Sequence, residues 1–358
     1  MIINLRSFLL MGLFLLPILG GAFPETARHG YVSCATCHHS PSGRGLLTSY
    51  GKTIAQELYS AWPRELPETQ GDDSWWQWGA QIRLMQWFQD TPTVQKARLF
   101  PMQMELEGAL TKDTWSVVGS MGVWRPMDAS PKEYKAYSRN HYLLLKPQET
   151  WTLRIGHFRI SHGLGLPDHG ILTQQYLGWS HSHETYNLEA TYNDDNNVIQ
   201  ASWITPSLVE ATGERISGGS ATFSRAIASQ HKVGINLSKF KRDGIDELQA
   251  NFHAVVSISE VAFLQSELAQ RYRVLTPQLS QTAFFARYSR QWGQGWRPFL
   301  QWEASRSNEI GEPVAQRYFL GSEWFPIANF DLLMFGGREI NSLRENQFLF
   351  SGVGHFYF

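Results

Sequence analysis

The sequence predicts an all-β fold, a transmembrane antiparallel β-barrel of about 16 strands (range roughly 14–18) behind a short, mostly irregular segment with one short helix. Three observations predict it. Segments of about 11–15 residues alternate apolar and polar side chains, as strands do when their two faces meet different surroundings. The connections between them alternate in length, and the chain ends on an aromatic residue, Phe358. Strands of this length suit a tilted crossing of a bilayer.

Residues 1–22 have the pattern of a secretory signal peptide. Arg6 supplies a positive flank, an apolar run extends from Phe8 to Leu19, and Gly20-Gly21-Ala22 offers small residues for cleavage. The run is short for a transmembrane helix. We therefore expect a cleaved signal and a mature chain beginning near Phe23, with an N-terminal membrane anchor as the alternative.

The alternation assigns a direction to individual side chains. In the first segment Trp76, Trp78 and Ile82 alternate with Gln77 and Arg83. Apolar positions are expected to face lipid and polar ones the lumen. The same parity places Met102 and Met104 toward lipid. On the lumen side it places Arg83, Glu105, Glu107, His253, Arg287, Arg297, Glu303 and His355. The mixed charges argue against a strongly ion-selective pore.

Connection lengths predict the topology. Short turns near 112–113, 148–149, 194–196, 228–230 and 293–295 alternate with longer connections near 126–132, 162–182, 206–217 and 307–314. An even strand number puts both termini in the periplasm and the long loops outside the cell. Aromatic residues near segment ends are expected to form the interfacial girdles, namely Trp75, Trp87, Trp124, Trp151 and Trp324.

The organisation resembles that of bacterial outer-membrane barrels, which often end on an aromatic residue as this chain does. It also resembles general porins, whose third extracellular loop folds into the lumen and narrows it. The connection at about 162–182 follows the fifth strand and is the third such loop here. The resemblance implies location in the outer membrane, contact with its lipid, and either a monomer or a porin-like trimer.

Composition excludes one class of partner. The formal net charge is −1, with 31 basic and 32 acidic residues. No basic excess exists to neutralise phosphates, so no nucleic-acid partner is expected.

Cys34-Ala35-Thr36-Cys37-His38 is a C-x-x-C-H motif, and its two cysteines are the only ones in the chain. This spacing is typical of covalent haem c attachment, with two thioethers from Cys34 and Cys37 and an axial imidazole from His38. Attachment outside the cytoplasm agrees with a signal peptide. A Cys34–Cys37 disulfide and a zinc site with His38 or His39 are the alternatives.

Two stretches carry a further resemblance. Ser40-Pro41-Ser42-Gly43-Arg44-Gly45, followed by Tyr50-Gly51, resembles the stretch after C-x-x-C-H in outer-membrane proteins that join an N-terminal mono-haem c-type cytochrome motif to a barrel. Arg44 replaces the middle glycine of that run. Gly163 to His169 resembles a Gly-x-x-x-Pro-Asp-His stretch of the same barrels. The resemblance covers most of the chain thinly and is specific only at these two places.

The expected domains are the signal at 1–22, a haem-binding segment at 23–73 and the barrel at 74–358. So short a segment buries little surface by itself, so we expect it to sit as a plug or lid at the periplasmic mouth. One helix is expected from about Thr53 to Ala61, with Thr53 and Gln56 as a capping box and Pro63 as the stop.

The sequence does not decide which residue binds the iron on the face opposite His38. His162, His169, His181 and His183 lie in or near the third loop, and His253 and His355 on lumen faces. We select His169, because Asp168 precedes it and a carboxylate can orient such an imidazole. Methionine ligation and an open sixth position are the alternatives.

Three functions are compatible with these features. The main hypothesis is electron transfer at the outer membrane, which needs a partner cytochrome because one haem cannot span about 30 Å of hydrocarbon. The alternative is a porin or transport channel in which the haem segment is a plug, gate or structural element. The minor alternative is a haem peroxidase, for which no dedicated motif is present. An electron carrier or channel is thus favoured over a catalyst.

Overall fold

A closed antiparallel β-barrel dominates the computed structural model. It describes residues 31, 33–43, 45–62, 75–124, 135–166, 170–179, 183–206, 215–228, 230–274, 279–308, 314–341 and 346–357. The predicted signal peptide, Arg44, Asp168, His169, His181 and Phe358 lie outside these residues.

The described part of the chain contains seventeen strand segments, each paired antiparallel with its neighbours. They are β1 (Trp76–Asp90), β2 (Gln95–Lys112), β3 (Trp115–Trp124), β4 (Lys135–Tyr137), β5 (His141–Gln148), β6 (Trp151–Phe158), β7 (Thr185–Asn193), β8 (Asn197–Ile204), β9 (Ile216–Ile227), β10 (His231–Arg242), β11 (Ile245–Ser259), β12 (Ala262–Arg273), β13 (Leu279–Arg290), β14 (Trp296–Ser307), β15 (Ala315–Ile327), β16 (Phe330–Asn341) and β17 (Asn346–Tyr357).

These segments occupy sixteen barrel positions, because β4 and β5 both pair with β3 and together form one strand. The ring closes where β1 pairs with β17, from Gln81 opposite Tyr357 to Asp90 opposite Phe348. Closure leaves no exposed sheet edge at this seam. The predicted fold class, an antiparallel barrel of about 16 strands, is confirmed.

Side-chain direction follows the predicted alternation along most strands. On β11, Leu248 and Phe252 are half exposed on the outside, whereas Glu247, Gln249 and Asn251 are buried inside. An apolar outer face and a polar interior are what a barrel in a bilayer requires. Arg287, Arg297 and Glu303 lie on the lumen side as expected.

Two predicted directions are wrong, those of Met102 and Trp87. Arg83 pairs with Gln103 but Leu84 pairs with Pro101, so Met102 is an extra residue in a β-bulge. The bulge reverses the parity of β2 beyond it, and proline, which has no N–H for the ladder, is common at such sites. Met102 therefore lines the lumen, whereas Met104 stays exposed outside. Trp87 also faces the lumen rather than an interfacial girdle.

Connections at one end of the barrel are short throughout. At the other end lengths vary, and β10 joins β11 through only Asp243 and Gly244, which have φ of +47° and +87°. Such a pair is typical of a tight hairpin turn. The longest connection there, between β6 and β7, is the third on that end, as predicted. We call it loop 3.

The described residues of loop 3 lie inside the barrel. The loop contains a short helix, α2 (Leu172–Tyr176), which packs against β12, β13 and β14. The backbone N–H of Leu172 donates to Glu303 (2.7 Å), and that of Leu164 donates to Glu267 (2.9 Å). Trp179, fully buried, donates through its indole N–H to Gln249 on β11 (2.8 Å).

The N-terminal segment contains a 3₁₀ turn (Cys34–Thr36) and a helix, α1 (Ser49–Ile54), which a π-helical turn (Ala55–Tyr59) extends. The helix begins four residues before the predicted start. Thr48 is its N-cap and accepts a hydrogen bond from the N–H of Gly51 (3.0 Å). Thr53, the predicted cap, lies inside the helix and donates to the carbonyl of Ser49 (3.2 Å). In the described part of the chain, no helix is long and apolar enough to cross a membrane.

Candidate functional site

The C-x-x-C-H motif forms a compact turn. Ser33 caps it by accepting from the N–H of Ala35 (3.2 Å). The N–H groups of Cys37 and His38 both donate to the carbonyl of Cys34, at 3.2 and 3.0 Å. Both thiols are free and half buried. Burial, followed by the charge of Cys34, raises the pKa of the Cys37 thiol. The turn thus presents two thiols and an imidazole from five consecutive residues.

The chain after the motif folds back and fixes His38. The imidazole Nδ1 donates to the carbonyl of Gly45 (3.3 Å), and His38 also forms a β-bridge with Leu47. A proton on Nδ1 makes Nε2 the nitrogen that carries the lone pair, which is the state a metal requires. Gly43 and Gly45 have φ of +73° and +66°, a left-handed conformation that favours glycine.

Helix α1 packs directly on the motif. A Cβ at Gly51 would lie 2.1 Å from the carbonyl oxygen of Cys37, so only glycine fits there. The N–H of Thr48 donates to that same carbonyl (3.0 Å), and its hydroxyl donates to the carbonyl of Thr36 (3.3 Å). The helix and the turn are therefore one packed unit.

Hydrogen bonds tie this segment to the inner wall of the barrel. Arg154 on β6 donates to Ser40 (2.8 Å) and Ser42 (3.1 Å), while its guanidinium also pairs with buried Glu189 (2.7 Å). Gln77 on β1 donates to Ser49 (3.0 Å).

His39 is held at the same wall. Its Nε2 lies 2.6 Å from the Gln77 side-chain oxygen. Burial lowers the pKa of His39, so this imidazole is neutral at neutral pH, and it belongs to the anchoring contacts.

A second anchor lies at the short-turn end. The N–H groups of Ala61 and Trp62 donate to the carbonyls of Phe325 and Pro326 on β15, at 2.7 and 2.9 Å. Gln294, in the turn between β13 and β14, donates to the carbonyl of Glu57 (2.8 Å). The segment thus contacts the barrel at the end where its turns are short.

Cys34, Cys37 and His38 line one cavity of about 1170 Å³ that continues into the lumen. Its volume lies above the usual range for ligand sites, about 300–1,000 Å³. Ion pairs line one side: Glu323 pairs with Arg287 (3.0 Å) and Arg297 (3.6 Å), and Arg317 with Glu339 (2.6 Å). The predicted lumen charges Arg83, Glu105 and Glu107 also line it.

Another part of the cavity lining is apolar, which is uncommon in a barrel interior. We call it the apolar wall; it comes from five adjacent strands and consists of Met85, Trp87, Phe100, Met102, Phe319, Leu333, Phe335, Leu349 and Val353. The sequence reasoning missed it. A usable signal was the run Leu332-Leu333-Met334-Phe335 on β16, which is apolar at both parities and therefore apolar on both faces.

The structure describes four of the six histidines considered as sixth ligands. His162 and His355 line the cavity. His253 is lumen-facing as predicted but buried against Ser224 and Asn251. His183 lies against Trp179. His169, the selected candidate, lies outside the described residues with His181, so its role stays a prediction.

The residues present fit a covalently attached haem. The two thiols are close in one turn, His38 has its Nδ1 proton engaged, and all three border a space with an apolar side for a macrocycle. Among the residues that the structure describes, no group of three or more His, Cys, Asp and Glu side chains is arranged to hold a metal ion.

The fold is that of outer-membrane porins. No family model and no curated protein matches the chain. Among solved structures, it is similar to OmpT of Vibrio cholerae, with a TM-score of 0.61 and 11% identity over 79% of this chain and 97% of that one. An anion-selective porin from Comamonas acidovorans gives 0.59 and 12% identity over 79% and 99%.

OmpF of Salmonella typhi, solved as a complex with daunomycin, gives a TM-score of 0.59 and 12% identity over 79% of this chain and 97% of that one. At such identity the similarity extends to the fold alone.

Proposed function

We propose that this protein is a channel of the bacterial outer membrane whose N-terminal segment lies in the lumen as a plug and carries haem c on Cys34, Cys37 and His38. The cavity that continues from the C-x-x-C-H turn into the lumen is the observation that carries this proposal. The porin fold and the outward-facing apolar side chains support the membrane location. Because its charges have both signs, the lumen is expected to select weakly between small ions.

The plug follows from the anchoring contacts. Ser40 and Ser42 attach the segment to Arg154, and Gln77 attaches helix α1 to β1. These contacts support a position of the segment across part of the passage near the short-turn end. If that end faces the periplasm, as the even strand number predicts, the plug controls the periplasmic mouth.

Ion conductance in planar bilayers tests the channel. The intact protein is expected to conduct at a low level, and Ser40→Ala with Ser42→Ala to conduct more, because the segment loses two bonds to the wall. Ser238→Ala, a buried lumen serine away from the segment, is the matched control and should match the parent. A barrel that is silent in both the parent and the double variant would contradict a channel.

Haem attachment has its own test. Each thiol S–H would add across one vinyl group of the haem, which balances the thioether bond without an external oxidant. Haem staining of the mature protein from outer-membrane fractions should be positive in denaturing gels and lost when Cys34→Ser and Cys37→Ser are combined. A negative stain in the parent would contradict the attachment and leave the channel untouched.

Electron transfer is the second candidate, favoured by the position of Cys34, Cys37 and His38 on the cavity. A haem there would supply one-electron redox chemistry, and the chain's part is to shelter it and hold it at one end of the lumen. A partner cytochrome is required, because the hydrocarbon is about 30 Å thick. Reversible reduction without peroxide turnover is expected; a haem that instead turns over peroxide would favour the peroxidase.

A further inference from the structure

His355 has the geometry of a metal-binding histidine. It lies on β17 in a row across three strands, opposite Arg83 on β1 and Asp331 on β16. Its Nδ1 donates to a carboxylate oxygen of Asp331 (3.0 Å). Metal-bound histidines commonly donate their second ring N–H to a carboxylate, which fixes the tautomer and directs the other nitrogen to the metal.

The other ring nitrogen has an unmet hydrogen-bonding need. Nε2 of His355 is buried and has no hydrogen-bond partner among the described residues. Leaving a buried polar atom without a partner is costly, so such an atom calls for an explanation, and a ligand is one. The side chain lines the same cavity as Cys34, Cys37 and His38.

Other described histidines lack this combination. His162 also lines the cavity, but its ring packs at 5.8 Å from Trp179 and neither of its nitrogens contacts a carboxylate. His253 has both nitrogens within hydrogen-bond distance of Ser224 and Asn251. His39 is engaged by Gln77.

The surroundings of His355 also suit a macrocycle. Met85 is the next lumen-facing residue after Arg83 on β1, and Val353 is the lumen-facing neighbour of His355 on β17. Leu333 is the corresponding neighbour of Asp331 on β16. A polar row at the short-turn end is thus bordered directly by the apolar wall. An axial ligand at the edge of an apolar surface is what a half-sheltered haem needs.

We propose that Nε2 of His355 is the axial ligand opposite His38 on the haem, and that Asp331 is its positioning residue. This rests on the proposed attachment of haem at Cys34 and Cys37. The barrel wall then completes the coordination that the short segment cannot complete alone. The carboxylate raises the basicity of the imidazole, so it favours the oxidised iron and lowers the reduction potential.

Absorption and electron paramagnetic resonance spectra of the haem-loaded, full-length protein test this. The parent should be six-coordinate and low-spin. His355→Ala should become high-spin with unchanged haem staining, and added imidazole should restore the low-spin spectrum. His253→Ala, another lumen-facing histidine, is the control and should stay low-spin.

Three results would overturn the proposal: a high-spin parent, a low-spin spectrum retained in His355→Ala, or loss of the low-spin spectrum in His169→Ala alone. A parent without covalent haem would instead remove the attachment on which it rests. Asp331→Asn gives a second test that still applies if His355→Ala does not fold. It should keep the low-spin spectrum and shift the reduction potential upward; an unchanged potential would remove Asp331 from the proposal.

Discussion

The two sides of the lumen differ in how completely they are filled. Along β7–β12 polar side chains pair across the interior and loop 3 packs on them; Glu247, Asn236 and Asn251 are at most 1% exposed. Along β15–β17 and β1 the lumen faces are half buried and border the cavity. We call these the packed half and the open half.

The two halves differ in how their polar groups are satisfied. In the packed half, Asn236 donates to Ser220 and Thr222, and Ser238 donates to Ser220, so the polar groups satisfy each other. In the open half, the polar groups form ion pairs beside the cavity, and the apolar wall borders the same cavity. Stability is thus expected to depend on the first half and ligand or solute traffic on the second.

Glu247→Gln tests the packed half most severely. The Glu247 carboxylate is fully buried and pairs with Arg242 (3.3 Å), Arg271 and Arg273 (3.1 Å). Removing the charge leaves three guanidiniums without their common counter-ion, which should cost about 3–5 kcal/mol of unfolding free energy. Denaturant unfolding of the refolded barrel measures this. A denaturant midpoint equal to that of the parent would contradict the dependence of stability on the packed half.

Truncating one aromatic in each half compares them directly. Trp179→Ala removes the centre of a buried cluster with Ile160, Ile204 and Phe240, and about 3–5 kcal/mol is expected. Phe335→Ala on the apolar wall should cost about 1 kcal/mol or less, because that side chain already borders space. Equal losses of unfolding free energy in the two variants, measured by denaturant unfolding, would contradict the difference between the halves.

Acid should loosen loop 3. Burial, followed by the charge of Arg159, lowers the pKa of His162 to about 3, against an ordinary value near 6.5. Between these values the unfolded chain binds a proton that the folded chain excludes, so stability falls as the pH drops from 6.5 toward 3. Limited proteolysis of loop 3 at pH 7.5 and 4.5 should show faster cleavage in acid, and His162→Gln should reduce the difference. Identical pH dependence in the variant would refute this role.

Glu323→Gln should have the smallest effect on stability. Glu323 pairs with Arg287 and Arg297, but a quarter of its side chain is exposed to the cavity. Partial solvation limits such a pair to about 0–1 kcal/mol. The expected change is instead in reversal potential, toward anions, since two arginines lose their partner. A loss as large as that of Glu247→Gln would place this site in the packed half.

The fold was predictable because lipid and lumen impose opposite polarity on alternate residues. Glu247 and Leu248 are consecutive residues of one strand, and the alternation alone assigns them to opposite faces. The alternation did not predict side-chain direction where a local feature interrupted the two-residue period. Pro101 introduces the bulge that turns Met102 inward, and the helix starts early because Thr48, not Thr53, finds a backbone N–H to accept from.

Only the local part of the candidate site could be proposed from the sequence. Cys34, Cys37 and His38 are adjacent in sequence, so spacing alone indicates their chemistry. His355 and Asp331 become a candidate pair only when β16 and β17 bring them opposite each other. The hydrogen bonds from Arg154 to Ser40 and Ser42 depend on how β6, distant in sequence, curves round the segment. No single-strand pattern carries that information.

The seam between β1 and β17 has a consequence for biogenesis. The motif precedes the first strand, whereas His355 lies on the last one, so the two ends of the chain meet only when this final pairing forms. Until then the cavity has no closed wall. If the N-terminal segment were outside the lumen when β1 and β17 pair, the barrel would close without it. Closure of the β1–β17 pair therefore completes the wall of the cavity that Cys34, Cys37 and His38 share with His355.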